Sequence, residues 1–238
     1  MSAKRLHIGL IGGIGVASTV SYYQRLTAAV AKFGGTADIT IVHADVRELI
    51  RNTSADKRDD QAQVYAKLID RLKAAGADCA AITSLGGHFC FAETQAISSL
   101  PLLSGVSPLD DYFADQGIKK VGLLGTRIVM DTLLFGQLNK TQAIVLEDEI
   151  DTLGQAYLDM AVSMQCSPDQ QELFHDAGRR MVNDHGVDAI VLAGTDLSLA
   201  FENSTVEYPV IDALDIHVDV LARLATGQMN LDVKGIVA

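Results

Sequence analysis

An internal repeat of a strand and the turn after it constrains the fold of this chain most strongly. The sequence IGLIGG at Ile8–Gly13 is matched in the second half of the chain by VGLLGT at Val121–Thr126. A second pair follows, because GADCAAITS at Gly76–Ser84 is echoed by GVDAIVLAGT at Gly186–Thr195. Each of the four segments is an apolar strand that ends in glycine or a hydroxyl residue. The repeat predicts two lobes of similar fold, with the four strand ends facing one another across a cleft.

Short apolar runs alternate with longer amphipathic segments along the whole chain. This alternation is typical of βα units, so we predict an α/β fold in which each lobe is a parallel sheet flanked by helices. The predicted strands lie near residues 6–11, 38–43, 78–83, 101–104, 120–125, 143–146, 188–193 and 209–211. The predicted helices lie near residues 16–33, 58–75, 89–98, 109–116, 129–137, 150–163, 168–185 and 213–226.

We predict that the chain crosses between the two lobes more than once, since no low-complexity linker separates them. We place the first lobe at residues 1–100 plus 209–238 and the second at 101–208, with the last helix returning to the first lobe. Gly76 and Gly186 each follow a helical segment and are predicted as equivalent helix stops.

Charge and composition narrow the classes of partner. The formal net charge of -11 repels phosphate backbones and anionic lipid surfaces, so we expect no nucleic acid partner. No apolar run has the length of a membrane span, and no signal-peptide segment precedes the first strand, so we expect a cytoplasmic protein without membrane contact. The three cysteines are scattered and odd in number, which argues against disulfides and zinc ribbons. A small molecule is the expected ligand.

The glycine-rich turn after the first strand favours a carboxylate over a dinucleotide. Its spacing departs from G-x-G-x-x-G, and Asp38 precedes the second strand instead of closing it. A tight strand-to-helix turn can still hold a carboxylate with its backbone amides. We therefore predict that Gly12 and Gly13 line the ligand site and that the hydroxyls of Ser18 and Thr19 add donors.

Five segments carry a more specific resemblance. They are IGLIGGIGVASTVSYYQRL (Ile8–Leu26), ADCAAITSLGGHF (Ala77–Phe89), VGLLGTRIVMDTLLF (Val121–Phe135), GVDAIVLAGTDLSLAF (Gly186–Phe201) and YPVIDALDIH (Tyr208–His217). In this order they resemble the successive blocks of the aspartate/glutamate racemase family, across essentially the whole chain. The resemblance implies two pseudo-symmetric α/β lobes, no cofactor, and two cysteines that act as acid and base on opposite sides of a substrate α-carbon. We also expect a homodimer.

Both family cysteines are replaced in this chain. The family segment C-N-T-x-H corresponds to Ser84 through His88, and G-C-T-E corresponds to the run that contains Gly194, Thr195 and Asp196. A thiol with a pKa of about 8.5 can be tuned toward neutral pH, whereas a serine hydroxyl needs an adjacent base and glycine has no side chain. The resemblance thus predicts a racemase-family protein that cannot use the two-thiol mechanism.

The remaining cysteines do not restore that mechanism. Cys79 in an apolar strand and Cys90 in a helix are interpreted as packing residues, since free cysteine is among the most buried residue types. Cys166 precedes a helix started by Ser167 and Pro168, a position that lowers the pKa of a thiol, but it matches no catalytic block of the family.

Two hypotheses remain open at this point. One is a family enzyme for a small amino acid or dicarboxylate with altered proton-transfer chemistry, and the other is a non-catalytic ligand-binding protein. The candidate catalytic residues are Ser84, His88, Thr195 and Asp196. The candidate substrate-binding residues are Gly12, Gly13, Ser18, Thr19, Arg47, Thr126, Gly194 and His217. We expect no metal, because His43 and Asp45 form a pair without a third ligand.

Overall fold

The computed structural model describes residues 4–202 and 204–231 of the 238-residue chain. The strands are β1 (Ile8–Gly12), β2 (Ile39–His43), β3 (Cys79–Ile82), β4 (Leu102–Leu103), β5 (Lys120–Gly125), β6 (Gln142–Ile144), β7 (Ala189–Ala193) and β8 (Val210–Asp212). The helices are α1 (Val16–Lys32), α2 (Val46–Ser54), α3 (Arg58–Ala74), α4 (Phe91–Ile97), α5 (Ser107–Asp115), α6 (Arg127–Asp131), α7 (Ile150–Ser163), α8 (Pro168–His185), α9 (Ser198–Phe201) and α10 (Ala213–Thr226). Short 3-10 helices cover Gly86–Cys90, Leu134–Gly136, Glu147–Glu149 and Thr195–Leu197.

The strands form two parallel sheets with the same strand order. The first sheet has the order β2-β1-β3-β4 and the second has the order β6-β5-β7-β8. In the first, Ile8 is in register with Ile39 and Cys79. The predicted α/β fold with two parallel, helix-flanked sheets is confirmed, and the sequence repeat corresponds to a repeat of topology.

The burial of the strands explains why the sequence signals them clearly. Every residue of β1, β3 and β7 is buried, as expected for inner strands of a parallel sheet with helices on both faces. Edge strand β2 contains only half-buried and exposed residues. The helices that precede β3 and β7 end in the same way, because Gly76 and Gly186 both have positive φ angles, of 91° and 63°.

The chain divides into two compact units. One is drawn from Met1–Pro108 with Asp215–Ala238, and the other from Leu109–Leu214. These boundaries lie later in the chain than the sequence boundaries at 101 and 209. The reason is strand pairing: β4 pairs with β3 and therefore belongs to the first sheet, and β8 pairs with β7 in the second.

Some helices differ from the prediction. Helix α2 was not predicted, because its segment VRELIRNTS buries only Leu49 and Asn52, and its start is set by the side chain of Asp45, which accepts a hydrogen bond from the Arg47 N–H. The helix predicted at 129–137 is divided into α6 and a 3-10 turn, since φ is positive from Leu133 through Phe135. Within the described ranges, no helix combines the length and apolar character that crossing a bilayer requires.

Candidate functional site

The carboxyl ends of the inner strands carry the predicted site residues, in one group for each unit. We call the residues at and just after the ends of β1 and β3 in the first unit, 12–19 and 83–88, the first strand-end site. We call the residues at and just after the ends of β5 and β7 in the second unit, 125–127 and 193–196, the second strand-end site. Ligands of parallel α/β sheets bind at this edge.

Hydroxyl groups at the first strand-end site mostly bond to the protein itself. The Gly13 N–H donates to the Thr19 hydroxyl at 2.9 Å. Ser18 donates to the carbonyl of Thr83 at 2.6 Å, and the Thr83 hydroxyl donates to the carbonyl of Ile11 at 2.9 Å. These bonds join the start of α1 to the ends of β1 and β3. The Gly13 N–H therefore already has an acceptor, which argues against its predicted use for a ligand carboxylate.

Gly12 has a packing role in the same turn. A Cβ atom at Gly12 would overlap the methyl group of Thr19, and the Gly12 carbonyl accepts the N–H of Ala44 at 2.8 Å. The absence of a side chain lets α1 approach the end of β1 closely.

Ser84 lies at the end of β3 without a base beside its hydroxyl. It is half-buried, and its hydroxyl has no hydrogen-bond partner in the part of the chain that the structure describes. His88 bonds to the carbonyl of Ser84 through Nδ1 at 2.8 Å, not to its hydroxyl. The hydrogen bond through which His88 could activate the Ser84 hydroxyl is therefore not present in this geometry.

Both ring nitrogens of His88 are occupied. Nε2 accepts the N–H of Gly105 at 2.9 Å, which leaves the proton on Nδ1 to be donated to the carbonyl of Ser84. Burial lowers the pKa of His88 to about 4, against the opposing effect of its bonds to the backbone at Ser84 and Leu85. His88 is thus a neutral side chain whose two hydrogen bonds connect the end of β3 to the loop after β4.

His217 is buried beside His88 in the first unit. Its Nδ1 lies 2.8 Å from the hydroxyl of Tyr22, and its Nε2 has no hydrogen-bond partner among the described residues. A Cβ atom at Gly105 would lie 3.1 Å from His217 Nδ1 and 3.2 Å from His88 Nε2. Burial, and in second place His88, lowers the pKa of His217 to about 3. The imidazole predicted to bind substrate is therefore a buried neutral group.

A tyrosine occupies the space beside Gly194 in the second strand-end site. A Cβ atom at Gly194 would lie 2.5 Å from Cε2 and 3.0 Å from the hydroxyl oxygen of Tyr157, which comes from α7. The Tyr157 hydroxyl donates to Oδ2 of Asp196 at 2.9 Å. Burial raises the pKa of Tyr157 well above its usual value, and Asp196 adds to the shift. Sequence reasoning missed Tyr157, because one tyrosine in an amphipathic helix carries no functional signal.

Thr126 and Thr195 serve the local turns of this second site. The Thr126 hydroxyl caps α6 by accepting the Val129 N–H at 3.4 Å. Thr195 begins a 3-10 turn, and its carbonyl accepts the Ser198 hydroxyl at 3.0 Å.

The predicted carboxylate clamp Arg47 is engaged at the surface of the first unit. Its side chain is 85% exposed and contacts both carboxylate oxygens of Asp45, at 3.1 Å and 2.8 Å. Hydrogen bonding to Arg47 lowers the pKa of Asp45 to about 2. Arg127, at the start of α6 in the second strand-end site, is 70% exposed and pairs with Asp151 at 3.0 Å. Among the described residues no three metal-ligating side chains come together.

Comparison with known proteins assigns a chain of this architecture to a protein family. The model of the Asp/Glu/Hydantoin racemase family matches residues 11–221. The chain belongs to this racemase family.

Solved structures agree with the assignment. A Yersinia pestis protein provisionally named an Asp/Glu racemase is 25% identical, with a TM-score of 0.81, over 92% of this chain and 98% of that chain. An aspartate racemase homologue from Pyrococcus horikoshii OT3 is 22% identical, with a TM-score of 0.77, over 95% of this chain and all of the other. An allantoin racemase from Klebsiella pneumoniae is 15% identical, with a TM-score of 0.52, over 95% and 90% of the two chains. The last two comparisons show the fold alone.

In this family member the cysteines are poor acid–base groups. Cys79 and Cys90 are buried, and burial raises their pKa values to about 12 and about 11. Burial also raises the pKa of Cys166, so the predicted lowering by the helix N-terminus was wrong. At the start of α8 the Ser167 hydroxyl accepts the Gln170 N–H and the Gln170 side chain accepts the Ser167 N–H, and the Cys166 thiol donates to the carbonyl of Ser167 at 3.5 Å.

Proposed function

We propose that this racemase-family member binds a small amino acid or dicarboxylate at the carboxyl edge of its sheets and does not racemise it by the two-thiol mechanism. One observation carries the proposal: neither position that resembles a family cysteine holds a competent proton-transfer group. Ser84 has no base beside its hydroxyl, and the ring of Tyr157 lies where a side chain at Gly194 would extend.

The chemistry of the reaction explains why these replacements matter. Removal of the α-proton of an amino acid requires a base whose pKa lies near the operating pH. A serine hydroxyl meets this condition only with an adjacent base, and His88 is already bonded to two backbone groups. The nearby Tyr157 phenol has its pKa raised by burial, so its phenolate is scarce at neutral pH.

The ligand class rests on family membership and on the position of the polar residues. Structural neighbours carry the names aspartate racemase and glutamate racemase, and the strand-end position of Ser84 and Asp196 agrees with ligand binding in parallel α/β sheets. The proposal includes a cofactor-free homodimer in the cytoplasm. Free Cys79 and Cys90 are compatible with a reducing compartment.

Ligand-dependent stability tests the binding proposal. We expect at least one of L-aspartate, D-aspartate, L-glutamate, D-glutamate, succinate and glutarate to raise the free energy of unfolding, by about 2.7 kcal/mol at a concentration of 100 Kd. Urea unfolding with and without each compound measures the change, and sodium chloride of equal ionic strength is the control. Unchanged stability with all six compounds would overturn the proposal.

The alternative is an enzyme with altered proton-transfer chemistry. The phenol–carboxylate pair of Tyr157 and Asp196 is the observation in its favour, since a buried tyrosine can donate a proton. Exchange of the ligand α-proton with solvent decides between the two functions.

A further inference from the structure

An apolar stripe runs along the exposed side of α1 in the first unit. Val16, Val20 and Tyr23 are 64%, 49% and 50% exposed, and their spacing of four and three residues places them on one side of the helix. Helix α1 contains no aspartate or glutamate, whereas the whole chain has 30 acidic residues and a net charge of -11. The exposed side of α1 therefore lacks the carboxylates that are abundant elsewhere in this protein.

The contacts of α1 show where this stripe lies over the first sheet. Helix α10 packs along one flank of α1, where the Tyr22 hydroxyl lies 2.8 Å from His217 Nδ1. On the same flank Arg25 donates to Asp215 at 2.8 Å. A Cβ atom at Gly105, just after β4, would lie 3.1 Å from His217 Nδ1, so α10 lies toward the β4 edge. An α-helix turns by about 100° per residue, which places the stripe on the opposite flank of α1, toward the β2 edge.

Edge strand β2 extends the apolar surface beside α1. A Cβ atom at Gly12 would contact Thr19 of α1, so Gly12 and, two residues earlier, Leu10 face this helix. Ile41 is the register partner of Leu10 and therefore faces the same side, where it is 41% exposed. We call the set of these four exposed side chains the α1–β2 surface: Val16, Val20, Tyr23 and Ile41.

Strand β2 also lacks the features that protect sheet edges from pairing. Of the edge strands in the described ranges it is the longest, with five residues. Edge strands are commonly protected by lysine, proline or other charged residues. The β2 sequence ITIVH contains no lysine, arginine, proline or carboxylate, and Asp45 beyond its end is paired with Arg47. The surface is thus apolar on the helix and unprotected on the strand.

Charge identifies a second copy of this chain as the occupant. Two molecules that each carry a net charge of -11 repel each other, so they associate best through a face without carboxylates. A twofold interface brings the same surface patch from both partners together, and an apolar patch is complementary to itself. A basic partner would instead be attracted to the acidic faces of the protein. Interfaces of stable dimers take about 20–30 residues from each partner, more than one helix face offers, and β2 supplies an extension.

We infer that two copies of this chain form a twofold dimer through the α1–β2 surface. The inference rests on the homodimer of the proposed function and assigns its interface. Dimerisation then covers the helix whose first turn, through Ser18 and Thr19, joins the ends of β1 and β3.

Sedimentation of the wild-type protein over a range of concentrations tests the inference first. We expect a species of twice the 25.4 kDa chain mass. Sodium chloride should tighten the dimer, because salt screens the repulsion between the acidic molecules and the interface contains no ion pair. A dimer that weakens with salt would overturn the inference. A monomer at every concentration would overturn both the inference and the homodimer, while the ligand titrations would still decide the binding proposal.

Variants then locate the interface. Val20→Glu, Tyr23→Glu and Ile41→Lys each place a charge where the partner would remove it from water, and each should raise the dimer dissociation constant at least tenfold. Val162→Glu, at a 76% exposed position of α7 in the second unit, is the matched control and should keep the wild-type value.

The variants also separate the inference from the homodimer itself. A dimer that is as stable in Val20→Glu and Tyr23→Glu as in the control would overturn the inference and leave the homodimer intact. Circular dichroism checks the fold of each variant, and the other substitutions remain decisive if one of them fails to fold.

Discussion

A contact between Gly194 and the ring of Tyr157 decides which side chains the end of β7 accepts. The Cβ atom of any larger residue would approach Cε2 of the ring to 2.5 Å, so either the ring or the strand end must move. Overpacking of this kind typically destabilises a protein by about 1–3 kcal/mol. The identity of residue 194 is therefore coupled to that of residue 157.

A double-mutant cycle measures this coupling. We expect Gly194→Ala to lower the free energy of unfolding by about 1–3 kcal/mol in the wild-type background, and by at least 1 kcal/mol less in the Tyr157→Leu background. Leucine lacks the Cε2, Cζ and hydroxyl atoms that would be contacted, which relieves the overlap. Urea unfolding of the four proteins supplies the values. The same cost of Gly194→Ala in both backgrounds would contradict the contact.

The sequence predicted where polar site residues lie, but not what their side chains contact. The resemblance to the family segments identifies Ser84, His88 and Asp196, and the strand pattern predicts that they follow apolar strands. Whether a hydroxyl faces a ligand or a neighbouring strand depends on distances of a few ångströms, as with Thr19, which accepts the Gly13 N–H. Tyr157 reaches the site from a helix that carries no motif.

At the scale of the elements, one buried carboxylate on α5 binds the backbone of the segment that leads into strand β6 of the second sheet. Asp110 on α5 is 5% exposed and accepts the backbone N–H groups of Asn139, Lys140 and Thr141, which immediately precede β6. These are charge-assisted hydrogen bonds, and removal of the acceptor leaves the donors without it.

Adjacent aspartates on α5 provide a matched comparison. We expect Asp110→Ala to lower the free energy of unfolding by about 2–4 kcal/mol, because three backbone donors lose their acceptor. Asp111→Ala removes only a partly exposed ion pair with Lys140 and should cost about 0–1 kcal/mol. Chemical denaturation gives both values. Equal effects of the two substitutions would show that the backbone contacts of Asp110 contribute little.

Strands were easier to predict than short helices for a physical reason. Inner parallel strands such as β1 and β7 bury both faces and so appear as continuous apolar runs. Helix α2 has nine residues and buries two of them, so its apolar periodicity is weak. The break after α6 depends on backbone angles at Leu133 through Phe135, non-glycine residues for which positive φ is uncommon.

For the whole molecule, the two buried histidines of the first unit predict how stability depends on pH. The pKa values of His88 and His217 are lowered to about 4 and about 3, against 6.5 for an ordinary histidine. The unfolded chain therefore binds two more protons than the folded protein at pH 5. The stability that these groups contribute is complete above pH ~7 and is lost as the pH falls through 6.5 toward 4 and 3.

The slope of the unfolding free energy against pH tests this linkage. Between pH 5 and pH 6 we expect the wild-type protein to lose about 2 kcal/mol per pH unit from the two histidines. His217→Phe should reduce this loss by about half, whatever its effect on stability at pH 7. An identical slope for wild type and His217→Phe would mean that His217 titrates normally.

Exchange of the α-proton with solvent is the most direct test of the central claim, that family membership is retained without the family's proton-transfer chemistry. Wild-type protein is incubated in deuterium oxide with L-aspartate, D-aspartate, L-glutamate or D-glutamate, and the α-proton signal is followed by proton NMR. A two-cysteine racemase of the family, run with its own substrate, shows that the assay detects exchange. We predict that the signal persists as it does without protein; loss of the α-proton at a rate proportional to the concentration of this protein would contradict the account.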